Sequence, residues 1–88
     1  MGSYRTREFP SETEVTDEDE RLFQRLRALR KQLADASHVP PYAVFSDATL
    51  RAMVRRRPTT SEELLSVSGV GKTKLERYGV VFLSEINR

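Results

Sequence analysis

A leucine series constrains the fold of this 88-residue chain more than any other feature. Four leucines recur at intervals of four, three and four residues: Leu22, Leu26, Leu29 and Leu33. This spacing places them on one face of an α-helix. Thr16 is a favourable N-cap, and Asp19 occupies the capping-box position three residues later. The sequence therefore predicts a long amphipathic helix from about Thr16 to Ala36 or Ser37.

The rest of the chain also favours helices, because no segment shows sustained period-2 alternation. Caps and stop signals delimit four further helices: one capped by Ser46 or Asp47 and ended by Pro58, one opened by the capping box from Thr60 to Glu63, one over 72–78 and one over 80–87. Gly79 separates the last two as a C′ residue. We therefore predict an all-α fold, a compact bundle of about five helices.

Charge divides the chain into two parts. Residues 1–20 hold two arginines and seven acids, a net charge of −5, whereas residues 21–88 carry +7. Residues 1–16 lack a helical period and are expected to be an acidic linker or tail, with a Met-Gly-Ser start of the kind that recombinant expression adds. Residues 17–88 are the expected folded domain. Their basic charge favours a nucleic-acid partner, or is simply a solvated surface.

The composition argues against several kinds of functional centre. There is no cysteine and only one histidine, His38, so neither a disulfide framework nor a His/Cys metal cluster is expected. The acidic run Asp17–Glu20 lies at the positive end of a helix dipole, which explains it without a metal. No apolar run approaches the roughly 20 residues of a membrane span, and no apolar core of a signal peptide is present. We expect no catalytic centre, no metal, no cofactor and no membrane partner.

The stretch Ser68–Thr73, SGVGKT, ends like a phosphate-binding P-loop. A P-loop requires a glycine five residues before Gly71, where this chain has Ser66, and it must follow a strand. Nucleotide binding is therefore not expected.

The same stretch fits a helix-hairpin-helix-like turn instead. Gly69 permits a left-handed turn, Val70 fills the crevice between the helices, and Gly71 allows close backbone approach and leaves free N–H groups. Lys72 and Lys74 would then contact a phosphate, or the hairpin is only a tight connection.

Four blocks in order resemble the HRDC (helicase and RNase D C-terminal) domain, most of all its bacterial RecQ helicase version: LFQRLRALR at 22–30, VPPYAVF at 39–45, DATL at 47–50 and LSVSGVG at 65–71. The resemblance covers about residues 18–88. It implies a compact helical bundle, an accessory module that binds single-stranded or partly single-stranded DNA and tunes which structures the helicase engages. ATP and Mg²⁺ would belong to separate helicase domains. The resemblance also implies a monomer in the bacterial cytoplasm, associated with the nucleoid, and places Tyr42 in the DNA-binding surface.

The residues themselves agree with that role for Tyr42. Two prolines hold the start of the segment 38–45 extended, while Val44 and Phe45 are expected to anchor it. Tyr42 is then held out, where a base can stack on it, or it packs inward beside Phe45. Six basic residues are candidates for phosphate contacts: Arg27, Arg30 and Lys31 on the first helix, with Arg30 on the flank of the leucine stripe, and Arg51, Arg55 and Arg56 on the second.

A rival interpretation is a protein-interaction or regulatory module that docks on the helicase core or on a partner. The acidic run at the start of the first helix would repel DNA from one end of the domain, and arginines at a helix C-terminus also suit the helix dipole. Salt-dependent DNA binding would separate the two interpretations.

Overall fold

The computed structural model describes residues 16–88 and contains five helices and no strand in that range. In chain order they are α1 (Asp17–Ser37), α2 (Pro41–Val44), α3 (Asp47–Arg56), α4 (Ser61–Leu65) and α5 (Lys72–Ile86). The all-α, five-helix prediction is confirmed. The predicted acidic linker, apart from Thr16, lies outside the described residues. Within them, no helix has the length and apolarity that crossing a bilayer requires.

Helix α1 has the ends that its sequence predicts. Thr16 Oγ1 accepts a hydrogen bond of 3.0 Å from the Asp19 N–H, and this contact satisfies one of the free donors of the first turn. The helix ends at Ser37, followed by His38 in the left-handed region. Leu22 and Leu26 are fully buried, and Leu29 and Leu33 pack partly exposed against the same core. The leucine spacing therefore identified the buried face correctly.

The Pro-Pro segment is extended for a shorter stretch than the sequence predicted. Pro40 is extended, but Pro41–Val44 forms a single helical turn with Pro41 in its first position. Proline is tolerated there because the first-turn N–H groups have no partner within the helix. Val44 and Phe45 are buried, as expected of anchors.

Helix α5 runs without a break through Gly79, so the predicted division into two helices is wrong. A Cβ at this buried glycine would lie 2.9 Å from Leu75 Cδ1 and 3.9 Å from Leu64 Cδ2. The missing side chain thus makes room for leucines of α4 and α5, and does not end the helix. The predicted number of helices still holds, because α2 takes the place of the helix lost here.

The turn between α4 and α5 has the predicted hairpin form. Gly69 adopts φ +92°, and Val70 is buried between its neighbours. Gly71 is the N-cap of α5, but a Cβ there would meet nothing within 4 Å. Close backbone approach therefore does not explain Gly71, and that part of the prediction is wrong.

The long helix α1 organises the domain, and α3 runs antiparallel to it. Three ion pairs join α1 to the residues of α3 and its C-cap, in reverse order along the chain: Arg30 with Asp47, Arg51 with Glu20 and Arg57 with Asp19. Helix α5 also contacts α1, where Arg25 and Glu85 approach to 2.8 Å. At the centre, the Phe45 ring meets Tyr78 and Phe82 edge to face, with centroids 5.9 and 5.0 Å apart.

Candidate nucleic-acid interface

An open groove of about 570 Å³ runs along α1 where α2 packs on it. Its lining consists of Gln24, Arg27, Ala28, Lys31 and Asp35, together with Pro41 and the inner side chain of Arg30. Tyr42 follows Pro41 directly, and 72% of its surface is exposed. The prediction of an outward-facing Tyr42 is therefore confirmed, and its neighbour Pro41 lines the groove.

The geometry of α2 explains why Tyr42 faces solvent. Val44 and Phe45, which follow Tyr42 at the end of this short turn, fill the core, whereas Tyr42 stays exposed. Two prolines, Pro40 and Pro41, fix φ immediately before it. The ring is thus presented by a stiff backbone, and little conformational entropy remains to be lost when a ligand binds.

Arg27 and Lys31 lie one helical turn apart on the exposed side of α1, and both line the groove. Lys31 Nζ is 3.0 Å from Asp35 Oδ2, but both side chains are largely exposed. An exposed pair of this kind contributes about 0–1 kcal/mol, so it does not withhold Lys31 from a ligand. The guanidinium carbon of Arg27 lies 5.9 Å from the centroid of the Phe23 ring.

Arg51 of α3 lies near the same aromatic ring as Arg27, although it does not line the groove. Its guanidinium carbon lies 3.6 Å from the centroid of the same Phe23 ring, so Arg27 and Arg51 share this aromatic neighbour. Arg51 Nη1 also lies 3.4 Å from Glu20 Oε1. A hydrogen bond from Gln24, and then the Arg51 charge, lower the pKa of Glu20. We call Arg51, Arg27 and Lys31 the basic strip.

Arg30 does not lie on an exposed flank, as the sequence suggested, because only 7% of its surface is accessible. Its Nη1 donates to the Phe45 carbonyl oxygen at 2.9 Å and pairs with Asp47 Oδ1 at 2.8 Å. The partners lie 15 and 17 positions further along the chain, so helical periodicity could not reveal them. We remove Arg30 from the set of phosphate contacts.

The other predicted basic residues lie outside the groove. Arg55 is exposed one turn beyond Arg51 on α3, and Arg56 Nη2 donates to Ser66 Oγ at 3.2 Å. Lys72 is the exposed first residue of α5. Lys74 is half-buried, with Nζ 5.7 Å from the Phe45 ring centroid. The structure thus brings Arg27 and Lys31 together with Pro41, the residue before Tyr42, in one groove. Arg51 shares the Phe23 ring with Arg27.

Sequence reasoning did not single out Ala28 and Asp35 as groove residues. A signal for them was present, because Gln24, Ala28, Lys31 and Asp35 follow the i, i+4, i+7, i+11 pattern of one helix face. Of these four residues, only Lys31 was predicted as a phosphate contact, because the prediction considered basic side chains alone. Asp35 places an acid inside an otherwise basic groove. In residues 16–88, no group of three or more His, Cys, Asp or Glu side chains is arranged to hold a metal.

The fold is that of a small all-α domain organised by its first helix, and it matches known proteins over almost its whole described length. The sequence model of the HRDC domain family matches residues 19–86. The chain belongs to this family.

Relatives that are 41–50% identical to this chain are DNA helicases. The chain is 49% identical over 77 residues to the ATP-dependent DNA helicase RecQ of Haemophilus influenzae, covering 88% of this chain and 12% of that protein. It is 50% identical over 72 residues to RecQ of Bacillus subtilis (82% and 12%), and 41% identical over 68 residues to the ATP-dependent DNA helicase UvrD2 of Mycobacterium tuberculosis (77% and 10%). The chain spans about an eighth of the length of the RecQ relatives.

A solved structure shares the fold. The third HRDC domain of D. radiodurans RecQ superposes with a TM-score of 0.76 at 38% identity, covering 78% of this chain and 91% of that one.

Proposed function

We propose that this chain is the DNA-binding accessory domain of a RecQ-type ATP-dependent DNA helicase. It binds single-stranded or partly single-stranded DNA and tunes which DNA structures the helicase engages. The observation that carries the proposal is the exposed Tyr42 ring on a proline-braced turn, next to a groove lined by Arg27 and Lys31. The names of the RecQ and UvrD2 relatives support a helicase context.

Base stacking and phosphate contacts have different roles in the proposed DNA binding. An unstacked base lies on the Tyr42 ring, a contact worth about 1–3 kcal/mol that tolerates any base. The sugar–phosphate chain then follows the groove, with Arg27 and Lys31 as phosphate contacts and Arg51 as a further contact on α3. Phosphate contacts position the strand without reading its sequence. The domain therefore recognises a strand with free bases and does not recognise a particular sequence.

The domain supplies no chemistry of its own in this proposal. ATP and Mg²⁺ act in the motor domains of a longer protein, to which this domain delivers DNA. A single copy of the groove and ring suffices for the contact, so the domain works as a monomer. The bacterial RecQ relatives support a parent protein in the bacterial cytoplasm, and a DNA substrate is consistent with association with the nucleoid.

Fluorescence anisotropy with a labelled single-stranded oligonucleotide, at several salt concentrations, tests the proposal. Tyr42→Ala is expected to weaken binding about 5- to 150-fold, equivalent to the loss of about 1–3 kcal/mol, with the salt dependence unchanged. Arg27→Ala or Lys31→Ala should each flatten the log–log salt dependence by about 0.7. Tyr42→Phe retains the ring and serves as the control for stacking. Arg77→Ala removes an exposed cation of α5 outside the groove and is the matched control for charge.

The alternative is a module that docks on the helicase core or a partner protein. Val80 and Val81 favour it, because they expose 81% and 41% of their surface on neighbouring positions of α5. Absence of oligonucleotide binding at the lowest salt would contradict the DNA proposal. This alternative would be supported if Val80→Ser weakened binding to the helicase core and Tyr42→Ala left that binding unchanged.

A further inference from the structure

Arg30 is a buried cation that the proposed DNA contact does not use. Only 9% of its side chain is accessible, and Nε has no hydrogen-bond partner among the described residues. Burial of an ionised group is costly unless it is paired and fully hydrogen-bonded. An apolar side chain would fill this position on the inner face of α1 at lower cost. Stability alone therefore does not account for an arginine here.

The two partners of Arg30 lie on either side of the junction between α2 and α3. Phe45 is the C-cap of α2, three positions after Tyr42, and Asp47 is the first residue of α3. One guanidinium nitrogen of α1 thus reaches the end of one helix and the start of the next. The Arg30–Asp47 ion pair joins a buried arginine to an exposed aspartate, because 67% of the Asp47 side chain is accessible.

Phe45 is fixed by two kinds of contact, one at its ring and one at its backbone carbonyl. Its ring packs edge to face against Tyr78 and Phe82 of α5. Its carbonyl oxygen accepts the hydrogen bond from Arg30. Helix α2 has only four residues and no side-chain cap, so it has little stability of its own. Its direction, and with it that of the Tyr42 ring, depends on how Phe45 is fixed.

We propose that Arg30 is a positioning residue for DNA binding. With Asp47 as its counter-charge, it holds the Phe45 carbonyl and so fixes the Tyr42 turn beside the groove. This inference rests on the proposed function of Tyr42. It assigns Arg30 a role without a phosphate contact, because its accessible surface is small and Nη1 is already committed to two protein oxygens.

Asp47→Ala distinguishes positioning of the Tyr42 turn from a simple effect of the Asp47 charge on DNA. Asp47 is acidic and exposed, so its removal should tighten DNA binding if charge alone matters. The positioning role predicts the opposite, a roughly three- to tenfold loss of affinity for a single-stranded oligonucleotide without a change in salt dependence. Asp35→Ala is the matched control, since Asp35 is also an exposed acid paired with a cation of α1. That control should tighten binding.

A double-mutant cycle with Tyr42→Ala shows whether the effect passes through the ring. If Arg30 and Asp47 act by orienting Tyr42, Asp47→Ala costs nothing further in the Tyr42→Ala background. Arg30→Met gives the same result where it folds, as checked by circular dichroism. Additive losses overturn the inference. Tighter binding of Asp47→Ala, or a salt dependence flattened by about 0.7 in Arg30→Met, overturns it too.

NMR relaxation of the DNA-free 88-residue chain tests the same inference without any ligand. The backbone order parameters of residues 42–44 are expected to fall in Asp47→Ala from the rigid range of about 0.85 toward 0.6. Unchanged order in this turn contradicts the positioning role. A wild-type chain that fails to bind DNA contradicts the proposed function instead, and the relaxation data still decide whether Arg30 and Asp47 hold the turn.

Discussion

The Arg51 guanidinium lies 3.6 Å from the centroid of the Phe23 ring, and this contact holds a cation of α3 against α1. The arrangement has the geometry of a cation–π pair. Arg51 belongs to the basic strip because it shares the Phe23 ring with Arg27, and Glu20 at 3.4 Å partly neutralises its charge. The acidic start of α1 therefore acts on the proposed DNA-binding surface through Glu20, the neighbour of Arg51.

Glu20→Gln should consequently strengthen DNA binding. Glutamine keeps the size of the side chain but removes the charge opposite Arg51. We expect affinity for a single-stranded oligonucleotide to rise about two- to fivefold at low salt, with a steeper salt dependence. Titration by fluorescence anisotropy at three salt concentrations measures both. Glu18→Gln removes an exposed acid from the same turn of α1 and is the matched control. An equal gain in both variants would contradict a specific action of Glu20 on Arg51.

Gly69 and Gly71 provide a paired test of the hairpin. Gly69 has φ +92°, and a Cβ there would lie 2.0 Å from Thr49 Oγ1, so Gly69→Ala combines backbone strain with a clash against α3. We expect it to lower the free energy of unfolding by more than about 2 kcal/mol. Gly71→Ala meets no neighbour at φ −91° and should change it by less than about 0.5 kcal/mol. Urea denaturation measures both, and equal destabilisation would refute the distinction.

The pair Asp19–Arg57 links stability to pH. A hydrogen bond from Arg57, with Nη2 2.6 Å from Oδ1, is the largest cause of a lowered pKa at Asp19. A carboxylate whose pKa is lowered by folding stabilises the domain above its unfolded pKa, about 3.9, and this contribution is lost as the pH falls through the folded pKa.

Asp19→Asn should therefore destabilise the domain at pH 7 and make little difference at pH 2. The expected difference at pH 7 is about 0.2–1 kcal/mol, since the pair is partly exposed. Urea denaturation of both proteins across this pH range gives the difference directly. A difference that persists undiminished at pH 2 would show that the charge of Asp19 is not its cause.

Local signals predicted those parts of the fold that depend on local chemistry. The caps at Thr16, Ser46 and Thr60 each place a side-chain oxygen on the N–H three residues later, and the structure shows all three hydrogen bonds. The exposure of Tyr42 was also predictable, because Val44 and Phe45 are the more apolar neighbours and two prolines precede the turn. The N-terminal caps of these helices and the exposure of Tyr42 are thus encoded within a few residues.

Two features could not be read from sequence because their causes are distant in the chain. Gly79 has the pattern of a helix terminator, yet it serves the packing of Leu75 and Leu64. Arg30 lies on the border of the leucine stripe, and only the Phe45 carbonyl, 15 residues away, explains its burial. The groove that joins Pro41 to Arg27 and Lys31 likewise depends on α2 folding back onto α1.

If Tyr42 contacts bases while Arg27 and Lys31 contact phosphates, the domain should prefer single-stranded DNA to duplex DNA. In a duplex the bases are stacked on each other, so the Tyr42 ring has no free base to contact, whereas Arg27 and Lys31 meet phosphates on either form. Wild-type protein should therefore bind a single strand more tightly than a duplex of the same length, and Tyr42→Ala should bring this ratio close to one. Competition of both forms against one labelled oligonucleotide measures the ratio.

Tyr42→Phe keeps an aromatic face and should preserve the preference, while Lys31→Ala should weaken both forms and leave the ratio unchanged. If the ratio survives in Tyr42→Ala but disappears in Lys31→Ala, the strand preference comes from the shape of the groove and the stacking role of Tyr42 is wrong. The ratio is a better test than affinity alone, because a general loss of folding or charge lowers both affinities together and cannot imitate a selective loss for the single strand.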